Sequence, residues 1–164
     1  MKDLKTEILN ILAEDSTKNR DTVAAMVGID RAALDQAIKE LEEDRIILKY
    51  TAIIDWDRIN TEPMVYARID VQVQPQREVG FDDIARRIGG FPEVKSLMLV
   101  SGKFDFALMV EAPTMMEVSN FVSGKLSTID GIKSTWTNFV LKKYKENEVF
   151  YGEEESDKRQ AVLL

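Results

Sequence analysis

The residues of this chain whose types and spacing hold the most chemistry are Ser101-Gly102-Lys103-Phe104-Asp105. Backbone N–H groups around a glycine turn can form a small concave nest that receives an anion. Asp105, close behind, can accept charge-assisted hydrogen bonds from a cation. Thr135 and Thr137 add neutral hydroxyls if their segment lies alongside. The same pattern equally describes an ordinary glycine hairpin turn with a solvated edge carboxylate. Other chemistry is scarce. The chain has no histidine and no cysteine, which removes the commonest general base, the commonest transition-metal ligand, disulfides and thiolate metal sites. Carboxylates, lysines, serines and tyrosines remain, but the sequence holds no carboxylate pair, nucleophile elbow or phosphate loop. Neither an enzyme nor a bound cofactor is expected.

A length of 164 residues allows one ordinary domain or two small ones. With 45% hydrophobic and 31% charged residues, the chain has the balance of a globular protein. No apolar run approaches the roughly 20 residues of a membrane span, so no membrane partner is expected. The opening Met1-Lys2-Asp3-Leu4-Lys5 runs directly into mixed sequence without a secretory pattern. With the absence of cysteine, this leads to the expectation of a cytoplasmic protein. The net charge of −7 does not by itself suggest a partner made of phosphates.

The elements that must position these residues fall into two groups. In residues 2–14, Leu4, Ile8, Ile11 and Leu12 recur at helical spacing. A short Ala-rich helix over 21–27 ends at Gly28, which readily takes the positive φ of a helix terminus. A third helix over 31–43 has Asp30 as its N-cap and Leu34, Ile38 and Leu41 as its buried side. Two short helices around a glycine turn form a helix-turn-helix pattern. Residues 46–55, rich in β-branched and aromatic types, predict a β element after the third helix, the mark of a winged version. The first domain is therefore assigned to residues 1–54, and the polar stretch 55–63, ending in Pro63, to a linker.

From residue 64 the pattern becomes β, α, β, β, α, β. Val65, Ala67, Ile69, Val71 and Val73 alternate with Tyr66, Arg68, Asp70 and Gln72. Phe81, Ile84, Ala85 and Ile88 line a helix that Gly89-Gly90 ends. Strands over 94–100 and 104–111 are joined by Ser101-Gly102-Lys103 as a hairpin. Thr114 caps a helix running to 126, and Asp130-Gly131 turns into a last strand over 132–141. The fold class is α+β: an N-terminal winged helix-turn-helix followed by a ferredoxin-like βαββαβ sandwich, the latter over residues 64–144. A charged tail fills 145–164, with basic Lys142-Lys143-Tyr144-Lys145 before it, Glu153-Glu154-Glu155 within it and Ala161-Val162-Leu163-Leu164 at its end. It is read as a solvated tail and carries no functional expectation.

The strands of the second domain are not cleanly two-faced. Leu97 and Leu99 oppose Met98 and Val100, and Phe104, Phe106, Leu108 and Val110 oppose Ala107 and Met109. If helices cover one face only, the other is left as an apolar patch, which a second copy packed sheet to sheet would bury. A homodimer through this domain is expected, with cover by the linker or the tail as the alternative.

Several segments in this order resemble the leucine-responsive/asparagine regulator family, Lrp/AsnC, over residues 4–141. They are Val27-Gly28-Ile29, Leu41-Glu42-Glu43 with Ile46-Ile47, Tyr50-Thr51-Ala52, Val100-Ser101-Gly102-Lys103-Phe104-Asp105-Phe106, and Asp130-Gly131-Ile132 with Thr135 and Thr137. The resemblance implies a cytoplasmic transcription regulator that forms dimers, often gathered into octamers. It implies binding of double-stranded DNA through the first domain. It also implies sensing of an amino acid or similar small effector between sensing domains, near the loop after the second strand. Ser101, Gly102, Phe104, Asp105, Thr135 and Thr137 are the residues it marks for that effector. A free amino acid carries the carboxylate the nest would take and the ammonium Asp105 would take. Lys103, a second positive charge at the mouth, and Trp136, bulky between the two threonines, could narrow the pocket.

The DNA-reading helix departs from the family pattern. Gln36 and Ala37 stand where a basic pair is usual, Glu40 where another basic residue is common, and Arg45 where glycine is usual. The first sixty residues hold nine Lys/Arg against thirteen Asp/Glu. Arg31 and Gln36 are the expected base readers, since Arg suits guanine and Gln adenine in the major groove. Lys39, Lys49 and Arg20 are expected on phosphates. Each of these also reads as a solvated surface side chain. An alternative function is therefore an oligomeric small-molecule sensor with weak or lost DNA binding. A third, an enzyme akin to tetrapyrrole decarboxylases of similar fold, is disfavoured because those rely on histidine.

Overall fold

A computed structural model describes residues 4–59, 63–74 and 80–152. The chain divides into two compact units between Ala52 and Ile53.

The first unit contains α1 (Leu4–Glu14), α2 (Arg20–Val27) and α3 (Arg31–Glu43). Their apolar stripes meet in one core of Ile8, Ile11, Leu12, Val23, Ala24, Leu34, Ile38 and Leu41. Local chemistry fixes the helix ends. Asn19 accepts from the Asp21 N–H at the start of α2, and Asp30 accepts from the Ala33 N–H at the start of α3. Each satisfies one of the N–H groups a helix start leaves unpaired. Gly28 takes the left-handed conformation, φ 73°, between the two helices. After α3 the chain reverses through Arg45 at φ 56°, and the Ile46 and Ile47 N–H groups both reach back to the Leu41 carbonyl.

The expected β wing over 46–55 is not formed. No strand occurs there, and Ile46, Leu48, Tyr50, Ile53 and Ile54 are all exposed. The residue types favour β structure, but a strand also needs a neighbour whose N–H and C=O groups face it, and none of the described residues supplies one.

The second unit begins at Ile53, so the stretch expected as linker belongs with it. Trp56–Arg58 forms a 3-10 turn, and Asp55 accepts a hydrogen bond from the Gly152 N–H (3.3 Å). Residues 60–62 lie outside the described residues. Then follow β1 (Val65–Val73), α4 (Phe81–Gly89), β2 (Val94–Leu99), β3 (Phe106–Ala112), α5 (Met115–Gly124) and β4 (Ile132–Phe139). The four strands make one antiparallel sheet in the order β2-β3-β1-β4, the ferredoxin-like arrangement. Ala67, Ile69, Val71 and Val73 of β1 lie beside Phe106, Leu108 and Val110 of β3. Ile84 and Ile88 of α4 and Val118 and Phe121 of α5 cover them. Gly131, at φ 94°, starts β4 so close to Ile84 that an added Cβ would meet its Cδ1 at 3.0 Å.

The first residues of the tail are structured where they were expected to be loose. Two further short strands, β5 (Lys145–Glu146) and β6 (Val149–Phe150), pair as a hairpin, turned by Asn147 and Glu148 at φ 45° and 69°. Lys143 holds this end in place: its Nζ contacts Glu146 Oε2 (2.9 Å) and lies over the rings of Tyr66 and Tyr151. The acidic run and apolar end expected at 153–164 lie outside the described residues.

Candidate functional site

Ser101 and Gly102 form an exposed bend between β2 and β3, with Gly102 at φ 145° and nothing within 4 Å of the place where a Cβ would sit. Below the bend, Asp105 ties the loop to the sheet. Its N–H donates to the Val71 carbonyl (2.9 Å), its carbonyl accepts from the Val100 N–H (2.8 Å), and its Oδ2 accepts from the Val73 N–H (2.8 Å). One carboxylate oxygen is therefore spent on fixing the loop against β1. This is a role the sequence reading did not assign, because it depends on which strand lies alongside. Phe104 is half-buried, and the Lys103 ammonium sits over its ring at 5.4 Å. Lys103 is thus folded along its own loop.

Thr135 and Thr137 sit on β4, on the far side of β1 from this loop. They pair with Val71 and Ile69. Paired residues of an antiparallel ladder share a face, and Val71 and Ile69 are fully buried under the helices. Both threonines therefore face the helix side. Trp136, opposite Asp70, faces the other way and is 58% exposed, so it does not stand between the threonines as expected. Within one chain, then, Asp105 and the threonines flank the same short piece of β1, about two strand spacings (roughly 10 Å) apart. On the open face the neighbours are different residues: Ser134, whose Oγ lies 3.3 Å from Gln72 Oε1, and the Arg68–Asp70 pair. The period-2 alternation placed Arg68, Asp70 and Gln72 on one face. It could not indicate that Asp70, at 8% exposed, would be the buried polar residue there.

The expected DNA-contacting residues lie on and around α2 and α3, and most of them hold a carboxylate. Arg31 Nε donates to Asp35 Oδ2 (2.8 Å) and Nη1 to Asp21 Oδ1 (3.1 Å), bridging the two helices. Asp35 and then Asp21 push the guanidinium further above its ordinary range. Gln36 donates to Glu40 Oε1 (3.0 Å), while Lys5 of α1 holds the other Glu40 oxygen (2.9 Å). Lys5 first and Gln36 second hold the Glu40 carboxyl below the usual carboxylate range. Lys39 pairs with Glu43 (3.7 Å). Arg20 stands near Tyr50, whose hydroxyl donates to Glu42 (2.8 Å). Burial and then Glu42 push the Tyr50 phenol up. Lys49 is exposed. The outward side of the start of α3 is otherwise small: Ala32 and Ala33.

Among the described residues there is no group of three acidic, histidine or cysteine side chains able to hold a metal. No helix among them is long and apolar enough to cross a membrane.

A helix-turn-helix unit and a βαββαβ unit with a tethered glycine loop, carried in one chain, define a class of ligand-linked transcription regulator. Residues 66–150 match the family described as the Lrp/AsnC ligand binding domain. The chain is 43% identical over 158 residues to YugG of Bacillus subtilis (strain 168), an uncharacterised HTH-type transcriptional regulator, covering 96% of this chain and 95% of that one. The chain belongs to the Lrp/AsnC family of transcription regulators, which are not enzymes. Among solved structures, an AsnC family transcriptional regulator from Agrobacterium tumefaciens is 26% identical with a TM-score of 0.68, over 89% of this chain and 94% of that one. A transcriptional regulator of Neisseria meningitidis, solved as a complex with L-Met, shares the fold at 24% identity and a TM-score of 0.68, over 89% and 93% of the two chains.

Proposed function

We propose that this chain is a cytoplasmic regulator that binds double-stranded DNA through its first unit and senses an amino acid or similar small metabolite through its second. The observation that carries the reading is the loop at Gly102. Its backbone is open above, and it is fixed below by the carboxylate of Asp105 on the Val73 N–H. A pre-formed loop receives an anion without a further ordering cost. Asp105 keeps Oδ1 for an ammonium. Ser101 and Phe104 border the same loop. Thr135 and Thr137, beyond β1 on the helix side, would join such a site only through assembly beyond the sheet-to-sheet dimer.

An exposed apolar sheet face, which favours self-association, fits this reading. Met98, Val100 and Trp136, on the sheet face opposite the helices, are 36–58% exposed, and residues 46–55 carry β-forming side chains without a ladder. A homodimer, with further assembly up to an octamer, would cover both. The relative from Neisseria meningitidis, crystallised with L-Met, favours an amino acid as the effector class. Within the first unit, Arg31 and Gln36 are the proposed base readers, and Arg20, Lys39 and Lys49 the phosphate contacts.

A thermal-shift screen of the twenty amino acids tests the effector half, because a ligand held by the folded state raises the melting temperature. At about 100 times its Kd, a true effector adds roughly 2.7 kcal/mol to stability. A flat response to all twenty at millimolar concentration defeats the assignment. One observation favours a second reading, a sensor with weak or lost DNA binding: Arg31, Gln36 and Lys39 each hold a carboxylate. Absence of specific duplex binding at low salt, with and without amino acids, would decide for it.

A further inference from the structure

Asp70 lies on the sheet face that no helix covers, yet only 8% of it is exposed. Its row across the sheet runs Met98, Ala107, Asp70, Trp136, so a small residue flanks it on one side and an indole on the other. Arg68, one step along β1 on the same face, sends both Nε (3.1 Å) and Nη2 (3.0 Å) to the single oxygen Oδ1. Neither donor is spent on Oδ2. The Arg68 side chain is 59% exposed and that of Asp70 11%, so the pair has one arm standing above the face and one lying in it. A pair with its cation largely in solvent adds little to the stability of a lone chain. It gains meaning when the face is covered.

We infer that Arg68 and Asp70 set the register and the partner choice of a homodimer formed through this face, each chain's Arg68 reaching the Asp70 of the other. The inference rests on the proposed homodimer and deepens it. In a two-fold interface residue i meets j and j meets i. Two opposite charges one step apart on a central strand are therefore self-complementary when β1 of each copy crosses the other antiparallel near Ile69. A register that lays Arg68 over Met98 or Val100 instead buries it against apolar side chains without an outside acceptor, which is costly. The apolar residues of the face drive association, and the charges decide which surface is accepted.

The test mixes full-length chains of distinguishable mass, unfolds and refolds them together, and reads dimers by native mass spectrometry, with folding of each checked by circular dichroism. The parent chain is expected to form a dimer, as is the exchanged variant R68D/D70R. Their heterodimer would set like against like at both contacts. It is expected to fall from the statistical half of all dimers to about a tenth or less, given that a close charge pair in an interface changes affinity by about tenfold or more. The single variants R68D and D70R reverse the logic: each should dimerise poorly alone, and the two should pair with one another when mixed. If the double variant does not fold, these two decide. A parent chain that stays monomeric overturns the homodimer itself. Statistical mixing of parent and double variant, or single variants that self-associate as tightly as the parent, leaves the dimer standing and overturns the role of the pair.

Discussion

Neutralising the two carboxylates that hold Arg31 should make the first unit bind DNA more tightly. In D21N/D35N the amides keep shape and hydrogen-bonding capacity while two negative charges leave the surface around α3. A carboxylate about 8 Å from a phosphate in water weakens binding by roughly twofold, and this distance is within the Debye length of about 10 Å at 0.1 M salt. Two such charges amount to roughly fivefold. Arg31, whose contacts at 2.8 and 3.1 Å lose their charge assistance, is released more readily to take a phosphate or a base edge. One added phosphate contact steepens the salt dependence by about 0.9 in log K against log salt. Between 50 and 200 mM salt the variant should then lose roughly 3.5 times more affinity than the parent does. Fluorescence anisotropy on a promoter duplex, titrated at four salt concentrations, reads both quantities. If the variant binds no tighter and its salt slope matches that of the parent, α3 does not present Arg31 to DNA and the recognition-helix assignment fails.

Replacing Arg45 by glycine should stabilise the first unit by about 1 kcal/mol, because φ 56° costs a side-chain-bearing residue what glycine does not lose; a lower midpoint in urea would contradict this. The tail hairpin should depend on pH at both ends. Tyr151 and then Lys143 hold the Glu146 carboxyl low, so the stability it contributes is present above its unfolded value and lost as pH falls through the lower folded one. The Tyr151 phenol is pushed up to about 12 by Glu146, so its contribution is full below about 10 and lost as pH rises from there through about 12. Protection from amide exchange at 145–150, taken relative to the intrinsic rate at each pH, should therefore be greatest in the middle of the range and fall toward both extremes; protection that does not change with pH would refute the coupling.

Much of the architecture was legible in the sequence, and the parts that were not share a physical cause. Helical stripes such as Leu34, Ile38 and Leu41 and the alternation in β1 report burial by their own period, and the caps Asp30 and Thr114 act within three residues. Residues 46–55 were misread because β-forming side chains say nothing about where a pairing strand will be. The short strands at 145–150 were missed because Lys-Glu and Val-Phe carry no period, and long-range contacts of Lys143 with Tyr66 help to hold them. At the candidate site, Asp105 was singled out for its charge. Its bond to the Val73 N–H, thirty-two residues away, was invisible. Thr135 and Thr137 are marked by the family resemblance, and only the register with Val71 and Ile69 shows which face they take.

The acidic surface of α3 and the self-complementary pair on the sheet belong to one energetic argument. If Arg31, Gln36 and Lys39 are the DNA contacts proposed above, the carboxylates they hold must be given up on binding, and a single unit would bind weakly. Weak single contacts become useful when two or more units are linked, because the second binding event then occurs at a high effective concentration. Occupancy of a promoter would follow the state of assembly more than the strength of any one contact. An effector that changes how sensing units pack would then shift DNA binding without touching the recognition helix, and it can do so only to the extent that it prefers one assembly over another. Strong basic residues on α3 would defeat that control, since a tightly binding single unit has nothing left for assembly to decide. On this reasoning the carboxylates beside Arg31 are not a flaw in a DNA-binding surface. Under the proposed function they would keep its affinity low enough for assembly to govern it.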